Sequence, residues 1–179
     1  SDLAIFYLDE SDQPTAAANG AWGVTDLYYP VTRIHKVTYI DQNGNPITTT
    51  DGYAILEYEK DEDGNVVWEG YFDEIHAQTN CVHGYASVER GYDSQGRLVS
   101  ERYLDRYNNL AENELGIAGW NGYYDERGRL VTTSVYDKDR NQLSIVPIDL
   151  PEVEEEEEEV LDNGEELVFD DDFFLDEDW

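Results

Sequence analysis

The stretch GYASVERGYDSQGRLVSERYLD, residues 84–105, has two segments rich in Tyr, Val and Leu on either side of a short polar turn. The turn YDSQGR carries Asp93 at its first position and Gly96 at its fourth. An aspartate there accepts hydrogen bonds from the turn amides, and glycine adopts the positive φ that a type I turn with a bulge requires. We therefore expect Tyr85–Tyr92 and Leu98–Leu104 to form a β-hairpin.

The features of this hairpin recur along the chain with a period of 32 residues. Two columns at this spacing are Gly20, Gly52, Gly84 and Gly116, and Asp41, Asp73, Asp105 and Asp137. The segments KDEDGN (60–65) and YDERGR (124–129) repeat the turn, whereas YYPVTR (28–33) lacks the glycine and is expected to turn irregularly. A fixed period of this length indicates a repeat architecture.

The period divides residues 1–150 into a half-unit and four full units. These are residues 2–19, 20–51, 52–83, 84–115 and 116–147. A lone hairpin is marginally stable in water, so neighbouring units must stack to bury their apolar faces. The predicted fold is all-β, a tandem array of β-hairpins with about nine strands that forms a repeat sheet or solenoid. Closure into a barrel is also compatible with the pattern.

Alternation along the strands predicts which side chains share a face of the hairpin. One face is expected to carry Ala86, Val88, Tyr92, Val99 and Tyr103, and the other Leu98 and Leu104. Tyrosine is the commonest aromatic residue, and Tyr92 and Tyr103 of this hairpin are expected to pack.

The charge of the chain excludes several classes of partner. With 42 acidic and 11 basic residues, the formal net charge is −31. Nucleic acids and anionic membranes need Lys and Arg to neutralise their phosphates, so we expect neither as a partner. No apolar run is long enough for a membrane span, so membrane insertion is not expected. The remaining partners are basic proteins, cations and uncharged ligands such as glycans.

Residues 151–179 differ sharply from the repeats. They contain 16 acidic and no basic residues, interrupted by apolar side chains. Asn163 and Gly164 lie between apolar flanks, which is a hairpin signal, while acidic-hydrophobic alternation is also typical of a disordered interaction tail. The aromatic residues in this segment are Phe169, Phe173, Phe174 and Trp179.

Asp-rich segments raise the question of calcium. DQNGN (41–45), DEDGN (61–65) and DKDRN (137–141) resemble the start of a calcium-binding loop. Such a loop needs an acidic twelfth residue, and counting from Asp41 and Asp61 gives Gly52 and Phe72 instead. We therefore interpret these segments as hairpin turns and expect no cofactor; a weak cation role for the aspartate column is the alternative.

No motif for catalysis is present. His76, Cys81 and His83 lie close together, but the chain offers no partner pair for zinc and no orienting residue for a nucleophile. Cys81 is also the only cysteine, so no intrachain disulfide can form. We expect a protein that is not an enzyme.

The tryptophans of the repeats are the main candidates for ligand contact. Trp22, Trp68 and Trp120 lie in predicted strands, where exposed aromatic rings can stack on sugars or anchor a protein partner. Phe169, Phe173, Phe174 and Trp179 of the acidic segment complete the set of candidate binding residues. The alternative is that the repeat aromatics pack one hairpin against the next.

The segments GWNGYYDERGRLVTTSVYD (119–137) and GYASVERGYDSQGRLVSERYLD resemble tyrosine- and glycine-rich hairpin repeats of Gram-positive bacterial surface proteins. This group includes YD-type repeats and cell-wall- or glucan-binding repeats, and the resemblance covers residues 2–147. It implies a non-catalytic module of a larger protein that is secreted or displayed at the bacterial cell surface.

Two functions of different classes follow as expectations. The first is a binding module that engages a glycan or a protein partner through its β-repeat surface. The alternative is an acidic inhibitor or mimic that docks on a basic partner protein, with the acidic-hydrophobic tail contributing to binding. A purely structural spacer is the third reading.

Overall fold

The computed structural model describes residues 3–147, and every regular element in that range is a β-strand. Within it no helix is long and apolar enough to cross a membrane. The strands are β1 (Ala4–Phe6), β2 (Gly23–Tyr29), β3 (Ile34–Ile40), β4 (Ile55–Lys60), β5 (Val66–Phe72), β6 (Ser87–Tyr92), β7 (Leu98–Leu104), β8 (Gly119–Tyr124), β9 (Leu130–Tyr136) and β10 (Gln142–Pro147).

The strands form one antiparallel sheet in which each pairs with its neighbours in sequence, from β1 to β10. Among the described residues no pairing joins β1 to β10, so the sheet is open. The all-β prediction and the hairpin arrangement are confirmed. Of the predicted architectures, the structure has the open sheet and not the closed barrel. The predicted acidic segment, residues 151–179, lies outside the described residues, as does its Asn163–Gly164 turn.

The hairpin turn between β6 and β7 has the predicted chemistry. The amide of Gly96 donates to the carbonyl of Asp93 at 3.0 Å, and Gly96 has a φ of 75°. Oδ1 of Asp93 accepts the amides of Gln95 at 2.9 Å and Arg97 at 3.0 Å. Aspartate and glycine therefore recur here because one caps the turn amides and the other adopts the left-handed conformation.

The turn between β2 and β3 differs from the other hairpin turns, but the expected irregularity is not found in its strand pairing. The two strands pair without a register shift as far as Tyr29 and Ile34. Residues 30–33 make the turn, and Arg33 has a φ of 60°. With no glycine available, a long side chain takes the left-handed position, which only a minority of non-glycine residues adopt.

The recurring aspartates cap a second set of turns, at the ends of β3, β5, β7 and β9. In the turn after β7, Oδ1 of Asp105 accepts the amides of Tyr107 at 2.7 Å and Asn109 at 2.9 Å. Its Oδ2 accepts the side-chain amide of Asn109 at 3.3 Å. The same backbone pattern is present at Asp9, Asp41, Asp73 and Asp137. Turn capping thus accounts for this aspartate column.

Strand β10 explains why the described sheet has ten strands instead of about nine. After the inner aspartate turns, the chain makes a single bridge, such as Leu104 with Leu110, and then leaves to begin the next hairpin. After the last aspartate turn, Gln142 pairs with Tyr136 and the chain continues along β9 to Pro147. The chain therefore covers the edge of β9 with its own next segment, which no column of the sequence pattern indicated.

Alternation gives the sheet two faces. The face that carries Glu69 and Tyr71 of β5 is called the tyrosine face, and the face that carries Trp68, Gly70 and Phe72 is called the groove face. Of the residues assigned to one face from the sequence, Ala86, Val88 and Tyr103 are buried together on the tyrosine face.

A ladder of tyrosines crosses the tyrosine face. Ring centroids are 5.9, 4.8, 6.0 and 4.4 Å apart along the series Tyr39, Tyr53, Tyr71, Tyr85 and Tyr103. The rings pack with the buried side chains of Cys81 and Val88, and each such aromatic pair contributes about 0.5–1.5 kcal/mol beyond area burial. These tyrosines therefore pack one hairpin against the next, and the prediction that Tyr103 packs is confirmed.

The capped aspartates predict how stability depends on pH. The amide of Asn109 and then that of Tyr107 hold the pKa of Asp105 below its ordinary value, and the pKa of Asp41, Asp93 and Asp125 is lowered by similar bonds. A carboxylate with a lowered folded-state pKa stabilises the fold above about pH 4, and that contribution is lost as pH falls through the folded-state value. We expect the free energy of unfolding to decrease steeply below about pH 4.

The measurement is urea unfolding across that pH range for the wild type and Asp105→Asn, which keeps an oxygen acceptor but has no proton to titrate. We expect a shallower acid decrease for this variant. The control is Asp63→Asn, since no hydrogen bond to the Asp63 carboxylate occurs in the described range. Equal slopes in all three proteins would contradict the assignment.

Candidate binding groove

A groove crosses the groove face from β5 to β10. It consists of two adjoining depressions of about 960 and 560 Å³, which share Glu89, Arg102 and Arg140 as lining residues. The aspartate turns at residues 105–109 and 137–141 form one rim. A volume of this size accommodates a small molecule or a short stretch of polymer.

Trp68 and Phe72 supply the apolar part of the groove. The indole of Trp68 lies over Gly70, where a Cβ atom would come within 2.6 Å of ring atoms Cη2 and Cζ2 and 3.3 Å of Cε2 of Phe72. Only glycine at position 70 therefore lets the indole lie flat against the sheet. The half-buried ring contributes aromatic surface to the groove.

Polar side chains surround these rings. Glu89 and Arg102 are cross-strand partners on β6 and β7 and form an ion pair in which Nε and Nη2 of Arg102 face Oε2 of Glu89. Gln78 donates from Nε2 to the carbonyl of Ala86 at 3.4 Å, and Asn109 lies on the rim. The groove thus combines aromatic surface with amide, carboxylate and guanidinium groups.

The far end of the groove is formed by Tyr136 and Arg140. Burial raises the pKa of the Tyr136 phenol, against the opposing effect of Arg140 and Arg102, which both lie near it. Arg140 occupies the left-handed position of its turn, with a φ of 65°, and no carboxylate of residues 3–145 pairs with it. Lys138 lies on the same turn and is 3.8 Å from Glu112.

The tyrosine face carries a hydrogen-bonded network of charged groups that satisfy one another. Arg90 donates to Glu69 at 2.8 Å and to Glu101 at 2.9 Å, while Tyr71 and Tyr103 donate to the same carboxylates at 2.5 and 2.7 Å. Burial opposes ionisation of Glu69, but the hydrogen bonds from Arg90 and Tyr71 outweigh it and lower its pKa. The carboxylates of Glu69 and Glu101 accept these hydrogen bonds, so the network links β5, β6 and β7.

The structure does not bring the predicted tryptophans together. Trp68 lines the groove, whereas Trp120 lies on the tyrosine face, where it packs over Gly122. Trp22 precedes β2, is half-buried, and donates its backbone amide to the carbonyl of Ile40 at 2.8 Å. Phe169, Phe173, Phe174 and Trp179 lie outside the described residues.

The structure also separates the three residues of the His-Cys-His segment, because each side chain contacts a different neighbour. His76 contacts Glu57 at 2.7 Å, His83 contacts Glu114 at 3.0 Å, and Cys81 is buried beside the tyrosine ladder. Within the part of the chain that the structure describes, no three His, Cys, Asp or Glu side chains are grouped to hold a metal ion.

Sequence reasoning missed most of the groove, including Gln78, Glu89, Arg102, Tyr136 and Arg140. A signal for some of them is present in the columns of the repeat. Arg102 is at the position that holds Gly70 one period earlier and Ser134 one period later, and all three face the groove. Positions that face outward and differ between copies are where a repeat protein can build a unique site.

Comparisons with known proteins add no assignment to this geometry. No protein-family model matches the sequence, and no curated protein is significantly similar to it.

Proposed function

We propose that the chain is a non-catalytic binding module of a larger exported bacterial protein, and that it binds a glycan in the groove. In this proposal the array consists of four 32-residue units and an N-terminal half-unit, and binding needs no cofactor. The observation that carries it is the position of Trp68 beside the Glu89–Arg102 pair in an open groove.

The chemistry of the lining supports a sugar ligand. The C–H face of a sugar ring stacks on an aromatic surface, and its hydroxyls need donors and acceptors in fixed positions. Trp68 offers the surface, while Gln78, Asn109, Glu89 and Arg102 offer amide, carboxylate and guanidinium groups around it. Because the groove is open along the sheet, it suits a chain of sugars better than an enclosed small molecule.

Trp68→Ala tests the proposal. We expect glycans identified with the full chain on an array of bacterial cell-wall and capsular polysaccharides to bind this variant at least about tenfold more weakly, a loss of about 1.4 kcal/mol. Isothermal titration calorimetry measures the change. The control is Trp120→Ala, which removes an indole packed over a glycine in the same manner but on the opposite face.

Equal weakening by the two substitutions would contradict the assignment of the groove, and a folded protein that binds no glycan on the array would reject the proposed function. Salt dependence adds a second criterion. Glycan binding should change little between low and moderate salt, whereas docking of the acidic chain on a basic protein should weaken strongly.

A further inference from the structure

The charge of the chain is distributed unevenly. Residues 1–83 contain 15 acidic and three basic residues, and residues 148–179 contain 17 acidic and none that are basic. Residues 84–147 contain ten acidic and eight basic residues and are therefore nearly neutral. A strongly acidic segment meets the least repulsion over this part of the sheet.

Four basic residues of this part line the groove, together with Glu89, Glu101 and Asp139. One of the four, Arg90, is held between Glu69 and Glu101. Arg102 forms an ion pair with Glu89, and Nζ of Lys138 lies 3.8 Å from Oε2 of Glu112. Arg140 has no carboxylate partner within residues 3–145. A guanidinium that is not compensated attracts a carboxylate, and the attraction is stronger beside a groove wall than in open water.

The acidic C-terminal segment has the chemistry that complements this groove. Its carboxylates match Arg140 and Lys138, and its aromatic residues match the surface of Trp68 and Phe72. Phe169, Phe173, Phe174 and Trp179 alternate with runs of aspartate and glutamate. A segment of this composition can place a carboxylate and a ring into neighbouring parts of one groove.

The chain between the sheet and the acidic segment is short, and the segment is long enough to reach the whole groove. The first acidic residue of the segment, Glu152, lies five residues after Pro147, at the end of β10, and Gln142 of that strand lines the groove. The groove spans six strands, about 24 Å at a strand spacing of about 4.8 Å. The 32 residues beyond Pro147 reach up to about 105 Å when extended, so every part of the groove is accessible.

We propose that residues 152–179 bind in the groove of the same molecule, with their carboxylates on Arg140 and Lys138 and their aromatic side chains beside Trp68. A tethered segment has an effective concentration in the millimolar range, so weak contacts are enough to keep it bound. The segment then competes with any ligand of the groove. This contact does not depend on the proposed glycan ligand and is tested without one.

The full chain allows a direct test because it has only three lysines, Lys36, Lys60 and Lys138. A carbodiimide reagent joins a lysine amine to a carboxylate that touches it, and peptide mass spectrometry identifies the pair. We expect crosslinks from residues 152–178 to concentrate on Lys138. Lys36 lies on the same face outside the groove and serves as the internal control, and the yield should not depend on protein concentration.

Arg140→Glu supplies the second measurement. We expect it to lower the crosslinking of Lys138 to the segment about tenfold, equivalent to about 1.4 kcal/mol. The matched control is Arg106→Glu, which changes the net charge equally, does not line the groove, and should leave the yield unchanged. Equal crosslinking to Lys36 and Lys60, insensitivity to Arg140→Glu, or crosslinks only between molecules would each overturn the proposal. None of these results bears on glycan binding by Trp68.

Discussion

Arg90→Met should destabilise the sheet by about 2 kcal/mol, which lies between the cost of breaking an exposed ion pair and that of removing one partner from a fully buried one. Arg90 is 19% exposed and is the cation between Glu69 and Glu101, which are 22% and 18% exposed. Without it, two half-buried carboxylates face each other across β6 with only the tyrosine hydroxyls as partners. Urea unfolding at neutral pH measures the loss.

The pH dependence of this variant separates lost charge compensation from lost packing. In the wild type, hydrogen bonds from Arg90 keep the pKa of Glu69 low despite burial. Without Arg90, burial dominates and the folded-state pKa rises, so the folded variant gains stability relative to the unfolded chain as pH falls. The deficit of Arg90→Met should therefore be smaller at about pH 5 than at about pH 8.

Two controls accompany this experiment. Adding Glu69→Gln and Glu101→Gln to Arg90→Met should recover most of the lost stability, because neutral amides need no cation. Arg129→Met removes an ion pair with Asp125 that is more exposed, at 38%, and should cost less than about 1 kcal/mol. A deficit for Arg90→Met that is constant with pH and not rescued would contradict the role assigned to the network.

The sequence predicted the hairpins because their turns are determined locally. Asp93 and Gly96 lie within four residues of every group they bond, so the pattern YDSQGR is sufficient to predict the geometry that the structure has. The same holds for the aspartate turns such as that of Asp105, although their function as turn caps emerged only with the hydrogen bonds. Turn geometry that depends on local residues, and recurs at a fixed period, can therefore be predicted from a single sequence.

The groove and β10 were not predicted, because each depends on how distant residues pair. Glu89 and Arg102 form an ion pair only through the register of β6 and β7, and Arg140 reaches the groove from a turn one period beyond Asn108. Strand β10 forms because the edge of β9 is available to Gln142 and the residues after it. Sequence columns give the spacing of such residues but not the face or neighbours that pairing provides.

The close packing of Gly119 leads to the second large expected effect. Gly119 on β8 pairs with Tyr136 on β9, and the phenol of Tyr136 lies over it. A Cβ atom at position 119 would overlap the Tyr136 ring and lie 2.6 Å from the backbone carbonyl oxygen of Glu101 on β7. We expect Gly119→Ala to destabilise the protein by about 2–3 kcal/mol, because a ring and a backbone atom must both move.

Neighbouring hairpins indicate how the loss could be relieved. One period earlier, Ser87 pairs with Leu104 at the corresponding positions, and both side chains are buried. Copying this pair with Gly119→Ser and Tyr136→Leu should therefore recover stability relative to Gly119→Ser alone. Thermal unfolding of the two single variants and the double variant gives the coupling energy directly.

A second glycine separates this steric effect from a general intolerance of substitution. Gly44 has a φ of 84° with open space around it, and Asn108 occupies the corresponding turn position with a φ of 63°. Gly44→Asn should therefore change stability by less than about 1 kcal/mol, because asparagine tolerates the left-handed conformation. If Gly119→Ser is not rescued by Tyr136→Leu, the Glu101 carbonyl is the limiting contact, and β7 and β8 must separate to admit any side chain.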